Sequence, residues 1–311
     1  MLRSLLVLML FALPLFTSVS PVAAQDATPE AGAGTLSATG PFDAMVEIDG
    51  RDVHIICAGS GSPTIVFEVG GPNPAGGAEQ AALVGNDVSA YLGGGRFCAY
   101  DRAGTGQSAA DPKGVRTFRD SAADLNAVLA IPELGCPCIV MGESLGGSIA
   151  LVALADDPGG FSALVLLDPA PPGFWAEFER LSPADSPEAS FGSDAYWAGG
   201  NEEALDMPAG FRQLTAPAET PDIPIVIFAH GAGDPPVCFP CSEGIPLAEL
   251  EAAWQEGLAS LAEALDARLF VLDGVSHDIR GEAGDFVLDQ TIAVIAALAD
   301  PSLWATPSAL P

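Results

Sequence analysis

The stretch IVMGESLGGSIA, residues 139–150, carries most of the information about the fold of this protein. Its apolar start is typical of a buried strand, and its apolar end has helical character. Gly142, Ser144 and Gly146 stand where the strand becomes a helix. A serine between two glycines at such a turn is either an ordinary turn residue or a nucleophile held in a strained, exposed position. Other features of the sequence are needed to distinguish these two interpretations.

Apolar runs typical of buried strands recur on both sides of this stretch. The first run, at 44–59, is interrupted by Asp49-Gly50, which predicts a hairpin. Because helical periodicity falls between the later runs, we predict an α/β protein with a doubly wound, mostly parallel sheet covered on both faces. The other predicted strands are 64–69, 96–101, 138–143, 163–169, 224–230 and 267–274, and the predicted helices are 79–91, 117–130, 145–156, 247–265 and 285–299.

Composition and charge exclude some classes of partner. The chain has 311 residues, of which 49% are hydrophobic and 17% charged, so it can bury a sizeable core. Its 41 acidic and 11 basic residues give a net charge of −30. Such a chain repels phosphate backbones, and we expect no nucleic-acid partner.

The N-terminus predicts export. Residues 1–24 combine Arg3, a short apolar run and small residues before Gln25, which is typical of a secretory signal cleaved after Ala24. An uncleaved anchor is the alternative interpretation. We therefore expect a secreted protein, with no stable membrane insertion once the signal is removed.

The remainder of the chain divides into a linker, a domain and a tail. Residues 25–41 are small, polar and rich in Pro and Gly, which predicts a flexible linker. Residues 42–300 would form the α/β domain, followed by a tail at 301–311. Within the domain, residues 170–221 lack a strand pattern and are rich in proline and aromatic side chains, which predicts a lid or cap insertion.

Several reactive side chains directly follow predicted strands. In an α/β sheet, ligands bind beyond the carboxyl ends of the strands, so these positions share one edge. They are Ser144, Asp168, His230, Asp234 and His277, and Gly70-Gly71 follow the strand at 64–69. A serine, two acids and two histidines on one sheet edge are harder to obtain by chance than a Gly-x-Ser-x-Gly motif alone.

The strand–helix turn Gly142-Glu143-Ser144-Leu145-Gly146 resembles the nucleophile elbow of α/β-hydrolase enzymes. YDRAGTGQS, at 100–108, resembles the segment after the fourth strand of that family, and GVSHDI, at 274–279, resembles the loop that carries its histidine. The resemblance extends over residues 42–300. It implies an α/β-hydrolase fold with a serine nucleophile, an acid and a histidine in that chain order.

The resemblance also assigns roles. Ser144 would be the nucleophile, and His277 the base that a serine hydroxyl needs. His230 is a less favoured base, and His54 precedes the nucleophile. For the acid we favour Asp234, because AHGAGD resembles the usual position after the penultimate strand.

The acid has a second candidate. Asp168 follows the preceding strand, a position that some family members use, and is the alternative acid. Its other interpretation is a turn residue before Pro169.

Two backbone N–H groups are expected to bind the oxyanion of the transition state. Leu145, at the start of the helix after Ser144, would supply one of them. The second would come from the loop after strand 64–69, where many relatives have His-Gly and this chain has Val69-Gly70-Gly71-Pro72. We choose the N–H of Gly71, because a main-chain donor survives the missing histidine.

Six cysteines in an exported protein with only three histidines predict disulfides rather than a metal site. The family resemblance places the strands of Cys57 and Cys98 side by side, which predicts a bridge between them. The Cys-x-x-Cys pair Cys238 and Cys241 predicts a loop staple, with redox chemistry as the less favoured alternative. The state of Cys136 and Cys138 stays open.

The resemblance implies a serine hydrolase for small to medium carboxylic esters that needs no cofactor and no metal. The signal-like N-terminus predicts that it is secreted, and the aromatic lid suggests an apolar group in the substrate. Amide or peptide hydrolysis of the aminopeptidase kind, and lactones as substrates, stay open. A non-catalytic binding module is a further alternative, although all three catalytic roles are filled. GTGQS, at 104–108, lacks both the third glycine of a dinucleotide fingerprint and the Gly-Lys of a phosphate-binding loop, so we interpret it as a turn.

Overall fold

The computed structural model describes residues 36–71, 73–182, 203–217, 222–231 and 245–304. The described residues form one eight-stranded sheet, in the order β1-β2-β4-β3-β5-β6-β7-β8. Only the pairs β1–β2 and β2–β4 are antiparallel among the pairings described. The strands are β1 (Phe42–Ile48), β2 (Arg51–Ser60), β3 (Thr64–Glu68), β4 (Gly95–Tyr100), β5 (Cys138–Glu143), β6 (Phe161–Leu167), β7 (Ile225–His230) and β8 (Arg268–Leu272).

Helices cover both faces of this sheet. One apolar cluster joins it to α2, α3, α4 and α6, and a second cluster joins its other face to α1 and α7. The predicted doubly wound, mostly parallel α/β sheet is therefore confirmed. The helices are α1 (Ala78–Tyr91), α2 (Phe118–Leu129), α3 (Leu145–Asp156), α4 (Phe174–Leu181), α5 (Met207–Arg212), α6 (Leu247–Leu265) and α7 (Ile279–Ala299), with 3-10 turns at Pro132–Leu134, Pro158–Gly160 and Pro301–Leu303.

The turn between β1 and β2 has the backbone that its sequence predicts. Asp49 and Gly50 both have positive φ angles, of 50° and 74°. Asp-Gly suits a two-residue hairpin turn in which both residues adopt that conformation. β2 then pairs with β4, and Cys57 lies opposite Cys98 in the register.

Two disulfides are present among the described residues. The structure contains the predicted Cys57–Cys98 bridge, which joins neighbouring strands. Cys136 and Cys138, whose state the sequence left open, form the other bridge just before and at the start of β5. The predicted Cys238–Cys241 bridge lies outside the described residues.

The predicted lid is described in part. Residues 174–181 form α4 and residues 203–217 contain α5; we call these two pieces the cap segments. They pack through aromatic side chains, since the rings of Trp175 and Phe211 stack with centroids 5.3 Å apart. Phe211 also packs edge-on against Phe118 of α2, with centroids 5.1 Å apart. The cap segments are therefore joined to the helical layer.

Some predicted segments fall outside the described residues. These are the signal sequence, the linker up to residue 35, residues 183–202 and 218–221 of the lid, and the tail after residue 304. Among the helices of the described part, none has the length and apolar character needed to cross a membrane.

Candidate active site

The turn after β5 consists of one residue. β5 ends at Glu143 and α3 begins at Leu145, and Ser144 between them has φ 50° and ψ −119°. A positive φ is strained for a residue with a Cβ atom, and such strain clusters at functional sites. The N–H of Ser144 donates to the carbonyl oxygen of Leu167 at 2.8 Å, which ties the turn to the end of β6. The half-buried hydroxyl is thereby presented at the carboxyl edge of the sheet.

The two glycines of the motif allow this sharp turn. A Cβ atom on Gly146 would lie 2.1 Å from the carbonyl oxygen of Glu68, and one on Gly142 would lie 2.7 Å from the Cα of Gly147. Neither contact is tolerable, because the atoms met are backbone and cannot rotate away. Glycine at both positions therefore lets α3 start directly against the ends of β3 and β5.

His277 reaches Ser144 from the loop between β8 and α7. Its Nε2 lies 2.9 Å from Ser144 Oγ, and its Nδ1 lies 2.6 Å from Asp168 Oδ2. Since Nδ1 faces a carboxylate, it carries the hydrogen, and Nε2 is left to accept the hydroxyl hydrogen of Ser144. The ring of Trp254 stands edge-on to the imidazole, with centroids 6.2 Å apart. The structure thus brings together Ser144, His277 and Asp168.

Asp168 is a fully buried carboxylate directly after β6. Its φ of 48° turns the chain sharply, and its N–H donates to the carbonyl oxygen of Phe228 in β7 at 2.8 Å. Trp254 Nε1 donates to Oδ1 at 3.0 Å. Burial opposes ionisation, but hydrogen bonds from His230 and His277 outweigh it and lower the pKa of Asp168. The group is therefore held as a carboxylate.

The structure places one of the two candidate acids at His277. The alternative acid, Asp168, occupies the hydrogen-bonding position on His277 Nδ1, and Asp234 lies outside the described residues. The physical reason is that Asp168 follows its strand without an intervening residue, so that its side chain lies at the sheet edge beside the histidine loop.

The other two histidines have both ring nitrogens bound to carboxylates. His54, in β2, lies 2.8 Å from Asp101 and 2.8 Å from Asp43. His230, at the end of β7, contacts Asp168 and Glu251. Neither imidazole has a ring nitrogen left for Ser144, which leaves His277 as the histidine placed to act on the serine.

The loop after β3 lies beside the serine. A Cβ atom on Gly70 would lie 3.5 Å from Ser144 Cβ, and one on Gly71 would lie 2.3 Å from Leu145 Cδ2. Arg102 holds this loop, because its Nη1 donates to the carbonyl oxygen of Val69 at 2.6 Å and its Nη2 to that of Gly70 at 3.3 Å. In a trans peptide the N–H of Gly71 points opposite to the Gly70 carbonyl group, and hence away from Arg102.

Arg102 also joins the loop to a cap segment, which the sequence did not reveal. Its Nε and Nη2 each donate to a different carboxylate oxygen of Glu203 at 2.7 Å. Its Nη1 donates to Glu68 at 2.9 Å, and Tyr100 donates to the same carboxylate at 2.5 Å. The neighbouring Asp101 stabilises the turn that follows, by accepting the N–H of Gln107 at 2.9 Å.

Burial and pairing act in opposite directions in this network. Burial raises the pKa of Glu68, and Arg102 only partly offsets that rise. For Arg102, burial works to lower the pKa, but Glu203 and Glu68 outweigh it and raise the pKa. The guanidinium is therefore charged and held on three sides by buried oxygen atoms.

Glu143, the variable residue of the motif, faces the same loop. Its carboxylate accepts a hydrogen bond from the N–H of Gly70 and lies 3.6 Å from Arg280 of α7. Burial raises its pKa, and the Arg280 charge works in the opposite direction. Glu143 therefore helps to fix the position of Gly70 next to Ser144.

Comparison with known proteins agrees with this architecture. The family model described as serine aminopeptidase, S33, matches residues 81–176. Alpha/beta hydrolase domain-containing protein 10 from mouse is 20% identical, with a TM-score of 0.57 over 84% of this chain and 99% of the mouse chain. The proline iminopeptidase-related protein from Thermus thermophilus is 20% identical, with a TM-score of 0.54 over 83% of this chain and 98% of its own.

A third similar structure is 2-hydroxy-6-oxo-6-phenylhexa-2,4-dienoate hydrolase from Rhodococcus sp. strain RHA1. It is 16% identical, with a TM-score of 0.54 over 83% of this chain and 100% of its own. No curated protein matches the sequence. The structural similarities show that the chain has the α/β-hydrolase fold.

Proposed function

We propose that this protein is a serine hydrolase that cleaves carboxylic esters through an acyl-enzyme formed on Ser144. The observation that carries the proposal is the hydrogen-bonded series from Ser144 Oγ to His277 Nε2, at 2.9 Å, and from His277 Nδ1 to Asp168, at 2.6 Å. A nucleophile, a base and an orienting acid in this order are what acyl transfer requires.

The proposed reaction begins when Ser144 Oγ attacks the carbonyl carbon of the ester and His277 Nε2 takes the hydroxyl proton. Asp168 stabilises the resulting imidazolium and keeps its ring oriented. His277 then returns the proton to the departing alcohol, which leaves an acyl group on Ser144. A water molecule, deprotonated by His277, attacks that acyl group and releases the acid. Neither the formation of the acyl-enzyme nor its hydrolysis uses a cofactor.

The oxyanion of each tetrahedral intermediate would be bound by the N–H groups of Leu145 and Gly71. Leu145 opens α3, so its N–H has no partner in the helix and lies at the positive end of the helix dipole. The contacts of Gly70 and Gly71 with Ser144 and Leu145 support a place for the second donor on the same side of the serine. Removal of one such donor typically costs about 100- to 1,000-fold in kcat.

The acid in this proposal is Asp168 and replaces Asp234. A carboxylate that accepts hydrogen bonds from Trp254 and two imidazoles is held in one orientation. Its lowered pKa keeps it ionised through the neutral range, as the orienting role demands.

Hydrolysis of amides or peptides is the second candidate. The match of residues 81–176 to the serine aminopeptidase family model favours it, and the same three side chains would serve both reactions. The two candidate activities can be distinguished by measuring hydrolysis of matched ester and amide substrates that differ only in the scissile bond. Lactones form a third group of test substrates.

Export is part of the proposal. It is supported by the signal-like residues 1–24 and by the two disulfides, since structural disulfides belong to oxidising compartments. N-terminal sequencing of the mature protein from culture medium should begin at Gln25, and a protein retained in the cell with an intact N-terminus would contradict export.

The decisive experiment is active-site labelling. Wild-type protein should react with a fluorophosphonate probe and hydrolyse a p-nitrophenyl ester, and Ser144→Ala should do neither. Ser148→Ala, which changes a buried serine one turn further along α3, is the matched control and should label like wild type. Equal labelling of wild type and Ser144→Ala, or none of either, would rule out the proposal.

A further inference from the structure

The buried histidine at the end of β7 lies directly behind the proposed acid. His230 and Asp168 are both 0% exposed. His230 Nδ1 lies 2.7 Å from Asp168 Oδ2, the same oxygen that His277 Nδ1 contacts at 2.6 Å. One carboxylate oxygen is therefore shared by two imidazoles, of which only that of His277 reaches Ser144.

The second nitrogen of His230 also faces a carboxylate. His230 Nε2 lies 3.0 Å and 2.9 Å from the two carboxylate oxygens of Glu251 in α6. A carboxylate only accepts hydrogen bonds, so both ring nitrogens must carry hydrogen for both bonds to form. An imidazole with hydrogen on both nitrogens is a cation.

We propose that His230 is a buried cation between Asp168 and Glu251 that positions the acid and sets the pH at which His277 acts as a base. The inference rests on the proposed function, in which His277 must be neutral to accept the proton of Ser144. Although burial works to lower the pKa of His230, the hydrogen bonds and charges of Asp168 and Glu251 outweigh it and raise that pKa to about 9.

The direction of the effect follows from the charges. Asp168 alone would attract a proton to His277 strongly, because the two groups are in contact. The positive charge of His230 on the same oxygen weakens that attraction. Glu251, which lies farther from His277 on the other side of His230, partly counteracts the effect of the His230 charge on His277. Within the described residues, the charged groups that face His230 are Asp168, after β6, and Glu251, in α6. His277, in the loop after β8, contacts Asp168 from the other side.

The surroundings hold this arrangement in place. Gln255, one turn beyond Glu251 in α6, donates to the carbonyl oxygen of His230 at 2.9 Å and to Glu251 at 2.8 Å. Trp254 donates to the other oxygen of Asp168 at 3.0 Å. Neighbouring side chains of α6 thus bind the acid, the histidine and its second carboxylate together.

The test compares three variants over about pH 5 to 9. His230→Asn keeps an N–H donor near the place of Nδ1 and removes the charge, whereas Glu251→Gln keeps an acceptor and removes the outer negative charge. His54→Asn is the matched control, because it removes another buried histidine held between two carboxylates, Asp101 and Asp43. The first readout is kcat/KM for a p-nitrophenyl ester, and the second is the imidazole NMR titration of His277.

We expect the acidic midpoint of kcat/KM and the titration midpoint of His277 to rise by about two pH units in His230→Asn, as expected for a unit charge removed about 5–6 Å away at an effective dielectric constant near 20. Both midpoints should fall in Glu251→Gln and stay unchanged in His54→Asn. Equal midpoints in His230→Asn and His54→Asn, or a shift of the same size in both, would overturn the inference.

The NMR readout separates this inference from the proposed function. The chain has three histidines. The imidazole resonances of His230 and His54 are those lost in His230→Asn and His54→Asn, and the remaining resonance belongs to His277. If wild-type protein hydrolyses no ester and takes up no fluorophosphonate, the proposed function fails, and the titration of His277 still tests the effect of the His230 charge. If the protein is active but His230 loses its proton below pH 7, the inference fails and the proposed function stands.

Discussion

The stability of the protein should decrease at alkaline pH when His230 loses its charge. The folded protein raises the pKa of this imidazole from 6.5 to about 9. A group that binds its proton more tightly in the folded state stabilises that state fully below its unfolded pKa. The stabilisation is lost as the pH rises through the folded pKa. The loss should therefore extend from about pH 6.5 to just above pH 9.

The size of the loss follows from the same two values. Each pKa unit corresponds to about 1.4 kcal/mol, so the rise to about 9 is worth about 3 kcal/mol of unfolding free energy. The side chain of His230 is fully buried, so water does little to weaken its interaction with the two carboxylates. A loss of this size is a large fraction of the stability of a typical domain.

The assay is urea unfolding followed by tryptophan fluorescence, with the disulfides intact, for wild type and His230→Asn. Groups that titrate alike in both proteins, including His54, cancel in the difference between the two unfolding free energies. That difference should be about 3 kcal/mol smaller at pH 10 than at pH 6. A difference that stays constant across this range would refute the assignment of a charged His230.

Two further predictions concern the acid and the cap. Asp168→Asn should lower kcat by about 10,000-fold, because an amide favours the wrong tautomer of the base, and Asp234→Asn should change kcat less than about threefold in the same ester assay. Glu203→Gln should lower the unfolding free energy by about 3 kcal/mol, the low end for breaking a buried ion pair, because Glu68 remains as a partner of Arg102. The matched change Glu177→Gln, in an exposed pair, should alter it by less than about 1 kcal/mol in the same urea titration.

Most element boundaries follow from the sequence because the signals that set them are local. The helix predicted at 247–265 occupies the same residues in the structure. The last helix was predicted from 285 but begins at Ile279, because the side chain of Asp278 accepts the N–H of Gly281 and caps an additional N-terminal turn. A non-helical residue, Ala283, separates that turn from the remainder of α7 and interrupts the helical spacing of its apolar residues.

The site was harder to predict because its contacts are distant in the sequence. Two strands in succession end near an aspartate, and the histidine that needs an acid lies in a later loop. The signal in favour of Asp168 is its position immediately after the strand, where Asp tolerates a positive φ. The pair Arg102–Glu203 joins residues 101 positions apart and has no local signal.

The place of the acid and the charge of His230 are linked by the pairing of β6 with β7. These strands are parallel neighbours, with Leu167 opposite Phe228. A carboxylate one residue beyond β6 is therefore next to the last residues of β7, and His230 is the residue that meets it. With the acid on β6, a buried histidine on β7 becomes a hydrogen-bond partner of the acid and no longer competes for the serine.

This linkage makes the two assignments testable together. If Asp234→Asn abolished hydrolysis while Asp168→Asn did not, Asp168 would be left as a structural partner of His230, and removal of the His230 charge would have no direct route to the base. The pH midpoint in His230→Asn would then match wild type. A raised midpoint together with an inactive Asp168→Asn requires instead that one carboxylate serve both histidines, as its shared Oδ2 does.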